Sequence, residues 1–426
     1  MKRYQEYKDS GIEWIGQVPT HWNHKRLKYL DQTIMGQSPE SADCNKDRTG
    51  MPFLQGNADF FRLNPIPSVW CEHPNKLAEK DDILLSVRAP VGAVNIADQT
   101  YGIGRGLCAI RPKHSYKKYS YYRILCLSDE LNRIATGSTY TAVSVDQVNN
   151  VVVPNPDYDE QELLSIYLDR KTAQLDDLIA KKERMIELLK EERTAIINQV
   201  VTKGLDPNVE MKDSGVEWLG KVPKHWRLKK LKYVSRVNSM ALSETTDENY
   251  SFNYIDIGNV DLEEGVNLGE KIRFVDAPSR ARRIVQKGDT IVSTVRTYLK
   301  AIAHVEADVQ DVIVSTGFAV ITAKSQFISK FMYYVLRSEK FIDRVCALSV
   351  GVSYPAINST ELADIVVWYP DNKEEQRRIV EYLNRMVLKT KAVIVHLQAE
   401  IEYLKEYRTA LISEVVTGKI DVRDGK

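Results

Sequence analysis

Gly102–Gly106 reads GIGRG. A glycine run of that kind can cradle a phosphate on bare backbone amides. The chemistry also requires a helix directly after the glycines and an acidic residue about 20 positions on, and the sequence supplies neither. The seven histidines are scattered. The five cysteines, Cys44, Cys71, Cys108, Cys126 and Cys346, form no CxxC pair and no Cys/His cluster with zinc spacing. No Walker A loop, HExxH helix, PD-(D/E)xK pattern or nucleophile elbow occurs. His21 and His225 each precede a tryptophan, Trp22 and Trp226. Neither has a matched Ser, Cys or metal-ligand partner, so a packing role is expected. The chain is therefore read as carrying no catalytic and no metal site of its own.

The elements that would position any site come from a 426-residue chain, long enough for two or three domains. Hydrophobic residues make up 43% and charged residues 27%, a globular composition. No apolar run reaches about 18 residues, so no membrane span is expected, and the start MKRYQEYKDS has no apolar core like a signal peptide's. Reduced thiols and a cytoplasmic location follow as expectations. The net charge is only +1, but HKRLK (His24–Lys28), RPKHSYKK (Arg111–Lys118) and HWRLKKLK (His225–Lys232) are locally basic.

The strongest signal is a repeat. KDSGIEWIGQVPTHW (Lys8–Trp22) returns as KDSGVEWLGKVPKHW (Lys212–Trp226). DDILLSVR (Asp81–Arg88) returns as GDTIVSTVR (Gly288–Arg296), and GLCAI (Gly106–Ile110) as GFAVI (Gly317–Ile321). ERTAIINQVVTKGLD (Glu192–Asp206) returns as YRTALISEVVTGKID (Tyr407–Asp421). The offset grows from 204 to 215 positions, so small insertions separate two tandem copies of one module. The period is far too long for a solenoid. An internal pseudo-two-fold is expected.

Within each copy the pattern changes character. First come short alternating strands punctuated by Gly and Pro, among them DDILLSVR, GAVNIA, GLCAIRP and NVVVP. One helix is expected to interrupt them, SYYRILCLSDELNRIA in copy one and FISKFMYYVLRSEKFIDRVC in copy two. Then Tyr158–Val201 contains no Pro or Gly. Leu164, Leu168, Leu175, Leu178, Met185, Leu189, Ile196 and Val200 follow three- and four-residue steps there. Leu383, Met386, Val393, Leu397, Ile401, Leu404, Leu411 and Val415 do the same in copy two. Sustained spacing of this kind predicts two long helices, each about 65 Å at ~1.5 Å per residue. Two-fold-related helices must pair antiparallel. The fold class is thus α+β: two α/β-type domains joined by two long helices in an antiparallel coiled coil. The expected boundaries are 1–156 for the first domain and 157–203 for the first helix. The second domain spans 204–371, and the second helix with its tail 372–426. NPDY (Asn155–Tyr158) resembles the NPPY motif of adenine methyltransferases. Copy two has YPDN there, and a helix start explains both.

Two globular domains, each followed by a long helix, in a duplicated chain resemble the specificity subunit of type I restriction–modification enzymes. The motif GIEWIGQVPTHW…LKY, its second copy and the ending RTALISEVVTGKIDVR are similar to that family's segments, over essentially the whole chain. The resemblance implies target recognition domains that each read one half of a bipartite site in double-stranded DNA. It implies a coiled coil that sets the spacing of the halves and docks two methyltransferase subunits, with two restriction/translocase subunits joining that core. It further implies no chemistry in this chain, since S-adenosylmethionine, ATP and magnesium are bound by the partners. The rival readings are a stand-alone adenine methyltransferase using NPDY and a coiled-coil adaptor without DNA specificity.

If both halves share a scaffold and a partner, residues common to the copies serve those. Trp14/Trp218 and Trp22/Trp226 then read as packing anchors. Divergent loops serve what differs, the bases read. One such loop follows the strand ending at Arg88 and Arg296, with RAPVG against RTYLK. Arg88, Arg296, Thr297, Tyr298 and Lys300 are candidates there. An arginine can contact phosphate or fork onto guanine, or form a salt bridge inside its own domain. The other is TGSTYTAVS (Thr136–Ser144) against SVGVSYPAIN (Ser349–Asn358). Ser138, Thr139, Tyr140, Thr141, Ser353 and Tyr354 could there offer hydroxyls or rings to a groove, or the segment could be an ordinary connection. Arg105 and RPKHSYKK add cations in copy one, and RARR (Arg280–Arg283) could substitute in copy two.

Overall fold

In the computed structural model, residues 2–136, 141–263, 265–306 and 311–423 are described. The chain divides into two compact units. One is Met1–Glu183 with Gln398–Lys426, and the other is Arg184–Leu397. Both are α+β.

The first unit opens with a hairpin, Tyr7–Asp9 against Gln17–Pro19, in register Tyr7↔Pro19. Asn23–Arg26 then pairs antiparallel with Val152–Asn155. A four-stranded antiparallel sheet runs in the order Val94–Ile96, Ile83–Ser86, Leu107–Pro112, Asp31–Met35. All the strands expected from DDILLSVR, GAVNIA, GLCAIRP and NVVVP are present. A second sheet contains a parallel pairing of Tyr101–Ile103 with Met51–Leu54.

The second unit repeats this plan. Its hairpin, Met211–Asp213 with Lys221–Pro223, keeps the register Met211↔Pro223. Its four-stranded sheet has the order Ser235–Val237, Phe318–Ala323, Thr290–Ser293, Ile302–His304. Its second sheet again holds one parallel pair, Ser251–Ile255 with Val312–Ser315. The fifth strand of the first unit's second sheet, Cys44–Asn45, has no equivalent among the described residues of the second unit.

The single helix expected in each domain is two. In the first unit they are Lys117–Leu125 and Ser128–Ile134, and in the second Ser329–Leu336 and Glu339–Leu348. Buried Ser338 shows why the second pair breaks. Its Oγ donates to the Val335 carbonyl at 2.6 Å, offering the backbone a partner other than the helical one. A third short helix follows in each, Val145–Asn150 and Ser359–Asp364, with capping boxes at Ser144 and Asn358.

The long helices are Tyr158–Lys203 and Lys373–Val416. Asp157 caps the first, its Oδ1 accepting the Glu160 N–H at 2.8 Å. Asn372 caps the second, accepting from the Glu374 N–H at 2.8 Å. Each ends at a glycine in the left-handed region, Gly204 (φ 77°) and Gly418 (φ 74°), a conformation that terminates a helix at little cost. Inside the first unit the two helices run antiparallel: Lys182 Nζ pairs with Glu400 at 2.6 Å, and Arg408 with Asp176 at 2.9 Å. The buried line of the first helix differs from the expected one. It passes through Leu168, Thr172, Ile186, Arg193, Ile197 and Val200. Leu178 and Met185 are 41% and 48% exposed, whereas Ile186 is 7%. The expected line holds at Leu164, Leu168 and Val200 but slips by one residue at Met185 and Ile196, where Ile186 and Ile197 are buried, because polar Thr172 and Arg193 occupy buried places that an apolar pattern skips.

Candidate nucleic-acid interface

The repeated His-Trp pairs hold the ends of the long helices. Trp22, fully buried, donates its indole N–H to Glu160 Oε2 at 2.9 Å. His21 Nε2 meets the same oxygen at 3.0 Å, and the Tyr4 hydroxyl donates to Oε1 at 2.8 Å. Burial beside that carboxylate pushes the Tyr4 hydroxyl far above its ordinary range, so it remains a donor. The same Trp22 ring borders Gly418, where a Cβ would sit 2.4 Å from Pro19 Cδ and 3.0 Å from the indole. The second unit repeats the clamp: Trp226 Nε1 donates to Glu375 Oε1 at 2.9 Å, His225 lies 2.8 Å from Oε2, and Gly204 faces the Trp226 ring. Each tryptophan therefore grips the start of one long helix and the end of the other.

The next residue is a second duplicated fastening. Buried Gln161 accepts the Tyr116 N–H at 2.8 Å and donates to the Pro156 carbonyl. Buried Gln376 accepts the Ile328 N–H at 2.8 Å and donates to the Pro370 and Gln326 carbonyls. Sequence reading passed over this Glu-Gln pair. Its signal was its identity in DEQE and EEQR at the same distance from both helix starts. Trp14 donates to the Val152 carbonyl at 3.2 Å, and Trp218 stacks edge-on with Trp368.

The divergent loops converge in each unit. In the first, Arg88 bridges Ala142, the Ala89 N–H donates to the Thr141 carbonyl at 3.1 Å, and the Val143 N–H to the Val87 carbonyl at 2.9 Å. The Arg105 turn joins the same edge, since the Val87 N–H donates to the Gly106 carbonyl at 3.0 Å. Arg88, Arg105 and Thr141 are all exposed. Ser138, Thr139 and Tyr140 lie outside the described residues. The glycines of GIGRG have a structural purpose here. A Cβ on Gly104 or Gly106 would stand 2.6 Å from Gln55, so both let the turn lie against the end of Met51–Leu54.

In the second unit Val295 bridges Ala356, and the Ile357 N–H donates to the Thr294 carbonyl at 2.9 Å. The Arg296 guanidinium stacks 4.8 Å from the Tyr354 ring centroid. Thr297, only 4% exposed, exchanges a 2.9 Å hydrogen bond with Ser349. Thr297 thus binds the two loops to each other and does not face solvent. Tyr298, Lys300, Ser353 and Tyr354 are exposed. Arg296 and Lys300 both sit in the left-handed region, at φ 51° and 53°. Strain of that sort persists only where surroundings fix it.

The arginine that looked shared is not shared in place. Val295 occupies the position of Arg88, as the matching bridges to Ala356 and Ala142 establish, and Arg296 falls one residue later. Extra basic contacts from RPKHSYKK are mostly spent inside the unit. Arg111 forks onto Asp82 at 2.9 and 2.8 Å, Lys117 pairs with Asp81 at 3.1 Å, and Lys118 with Asp169. RARR does reach the edge through Arg280, whose carbonyl accepts the Thr316 N–H at 2.8 Å. Among the described residues no cluster of His, Cys, Asp or Glu could hold a metal, and no helix is long and apolar enough to cross a membrane.

An architecture of repeated recognition-type units on long helices places the chain in a known class. The model of the type I restriction modification DNA specificity domain matches residues 19–188 and again 223–403. The chain belongs to that family. A putative type I restriction enzyme MjaX specificity subunit from Methanocaldococcus jannaschii is 33% identical over 202 residues, which is 46% of each chain. The MjaVIII specificity subunit of the same organism is 25% identical over 99% of this chain and 98% of its own. Among solved structures, a chain from a type I R-M system superposes with a TM-score of 0.70 at 15% identity, covering 95% of this chain and 99% of its own. The HsdS subunit from Thermoanaerobacter tengcongensis superposes with a TM-score of 0.52 at 16% identity, over 95% and 98%. These two likenesses concern the fold.

Proposed function

We propose that each unit reads one half of a bipartite DNA target through the edge where its divergent loops meet. The long helices form an antiparallel coiled coil that sets the spacing of the halves and docks two methyltransferase subunits. Two restriction/translocase subunits complete the assembly. The chain itself is non-catalytic, and S-adenosylmethionine, ATP and magnesium belong to the partners. One observation carries the reading. The repeated His-Trp pair and its glutamate are used in the clamps, while in each unit the two divergent loops meet along one edge.

Replacing Thr136–Ser144 with the corresponding loop of another family member should change one half-site only. The readout is methylation-aware sequencing of host DNA in cells carrying the partner methyltransferase. Equal change in both half-sites, or none, overturns the assignment. The rival methyltransferase reading finds its NPDY residues otherwise engaged: Asn155 pairs with Asn23 in a strand and Asp157 caps a helix. Binding of radiolabelled S-adenosylmethionine by the isolated chain would restore that rival.

A further inference from the structure

The tip of the second unit carries an apolar patch that no described residue of the unit covers. Val350 is 78% exposed and Val352 is 102% exposed. Leu299, Tyr298 and Tyr354 are also exposed large side chains. All five lie on the two loops joined by the Thr297–Ser349 and Arg296–Tyr354 contacts. Exposed apolar side chains collected in this way mark an interaction surface. The segments Ser293–Lys300 and Ser349–Ala356 contain no Asp or Glu, while Arg296 and Lys300 flank the patch. An acid-free surface edged by cations suits an anionic partner that also presents something apolar.

From this patch we infer that the second unit recognises thymine 5-methyl groups in the major groove, with Val352 and Val350 as the contacting side chains. This rests on the DNA-reading function proposed above and adds the mode of reading. Short aliphatic side chains can make no hydrogen bond to a base edge. In the major groove the one apolar feature a base presents is the thymine methyl, and the minor groove presents none. Phosphates flank every base, which gives Arg296 and Lys300 their partners. The paired backbone hydrogen bonds between Val350 and Ala356, with the Thr297–Ser349 and Arg296–Tyr354 contacts, hold the valine loop before binding, so presenting the valines requires less ordering.

The test uses the complex with its methyltransferase and duplexes bearing the target found by methylation sequencing. The half-site belonging to this unit is the one altered when Ser349–Asn358 is replaced. Deoxyuridine replaces thymidine there, which removes only the methyl. Wild-type complex should bind about threefold to fivefold more weakly per contacted methyl, the scale of burying one such group. The Val350→Ser, Val352→Ser variant should bind the thymidine duplex that weakly already and should not distinguish it from the uridine duplex. Uridine in the other half-site should affect both proteins alike. A half-site without thymine overturns the proposal. So does a wild type indifferent to uridine, even if the variant is impaired, because the valines would then act as a wedge between base pairs. If the variant matches wild type on every duplex while the loop exchange still changes the half-site, the methyl contact fails and the broader reading stands. If neither change affects DNA recognition, both fail.

Discussion

Glu160 accepts the indole N–H of Trp22 at 2.9 Å, and it does so while taking two further donors from Tyr4 and His21. Glu160→Ala would strand a fully buried indole donor and a buried tyrosine hydroxyl, at a cost of about 2–4 kcal/mol. Glu375→Ala should cost less, because its carboxylate keeps more contact with water and lacks a tyrosine partner. Urea denaturation of the two variants should rank them in that order. Equal stabilities would remove the clamp as the reason for the repeated His-Trp pair.

The duplication also supplies a ready-made double substitution. In the first unit Asp31 and Arg123 form a fully buried pair at 2.6 Å, leaving Asp31 Oδ1 and two guanidinium nitrogens without partners. Burial raises the Asp31 pKa even against Arg123. The matching places in the second unit are buried Ser235 and Val335. Breaking such a pair from one side costs about 3–5 kcal/mol, while replacing both partners with a neutral solution is often neutral or better. Asp31→Ser alone and Arg123→Val alone should therefore destabilise strongly, and the two together should recover most of the loss. Additive effects in thermal unfolding would contradict this.

His304 should make the second unit sensitive to acid. Burial, with the nearby Lys330 ammonium, lowers its pKa to about 4 from the ordinary 6.5, against a smaller opposing pull from Glu306. A backbone hydrogen bond with Asp289 also pulls it upward, and the Tyr333 ring and the Thr290 hydroxyl lie beside it. The folded state resists the proton that the unfolded chain accepts, so stability is full above about 6.5 and falls as pH drops toward 4. The loss is on the order of 2 kcal/mol by pH 5. His304→Ile, which places there the residue the first unit has at Ile96, should flatten that part of the profile in unfolding midpoints measured from pH 7 to 5. An unchanged slope would assign the acid sensitivity to other groups.

What the sequence disclosed follows from which signals are local. Both long helices were legible to within a few residues, because an uninterrupted run without Pro or Gly is a one-dimensional fact. The four-stranded sheets were legible because their strands alternate and repeat. The second sheets were not, since strands such as Tyr101–Ile103 are three residues long and are defined by a parallel partner about fifty positions away. The convergence of the two loops was likewise invisible, as it depends on bridges between Arg88 and Ala142 and between Val295 and Ala356. The one-residue slip at Arg296 arose because identical letters align more readily than equivalent places.

The buried lines of the long helices yield a last prediction, and it separates register from composition. A seam drawn through leucines and methionines would include Leu178 and Met185, yet both are exposed, and Ile186 and Ile394 are buried instead. A carboxylate at an exposed position keeps its water, so Leu178→Glu should change stability by no more than about 0.5 kcal/mol. A carboxylate at Ile186 or Ile394 must be desolvated without a partner, which costs several kcal/mol or forces the helices apart. The same single substitution, Leu or Ile to Glu, is thus predicted to be nearly silent at 178 and severe at 186 and 394. Thermal unfolding gives the first comparison. Light scattering on the complex gives the second: under the proposed docking of methyltransferase subunits on these helices, the Ile186→Glu and Ile394→Glu chains should release subunits that the Leu178→Glu chain retains. A severe effect at Leu178 with tolerance at Ile186 would place the seam one residue earlier, where the leucine spacing alone puts it.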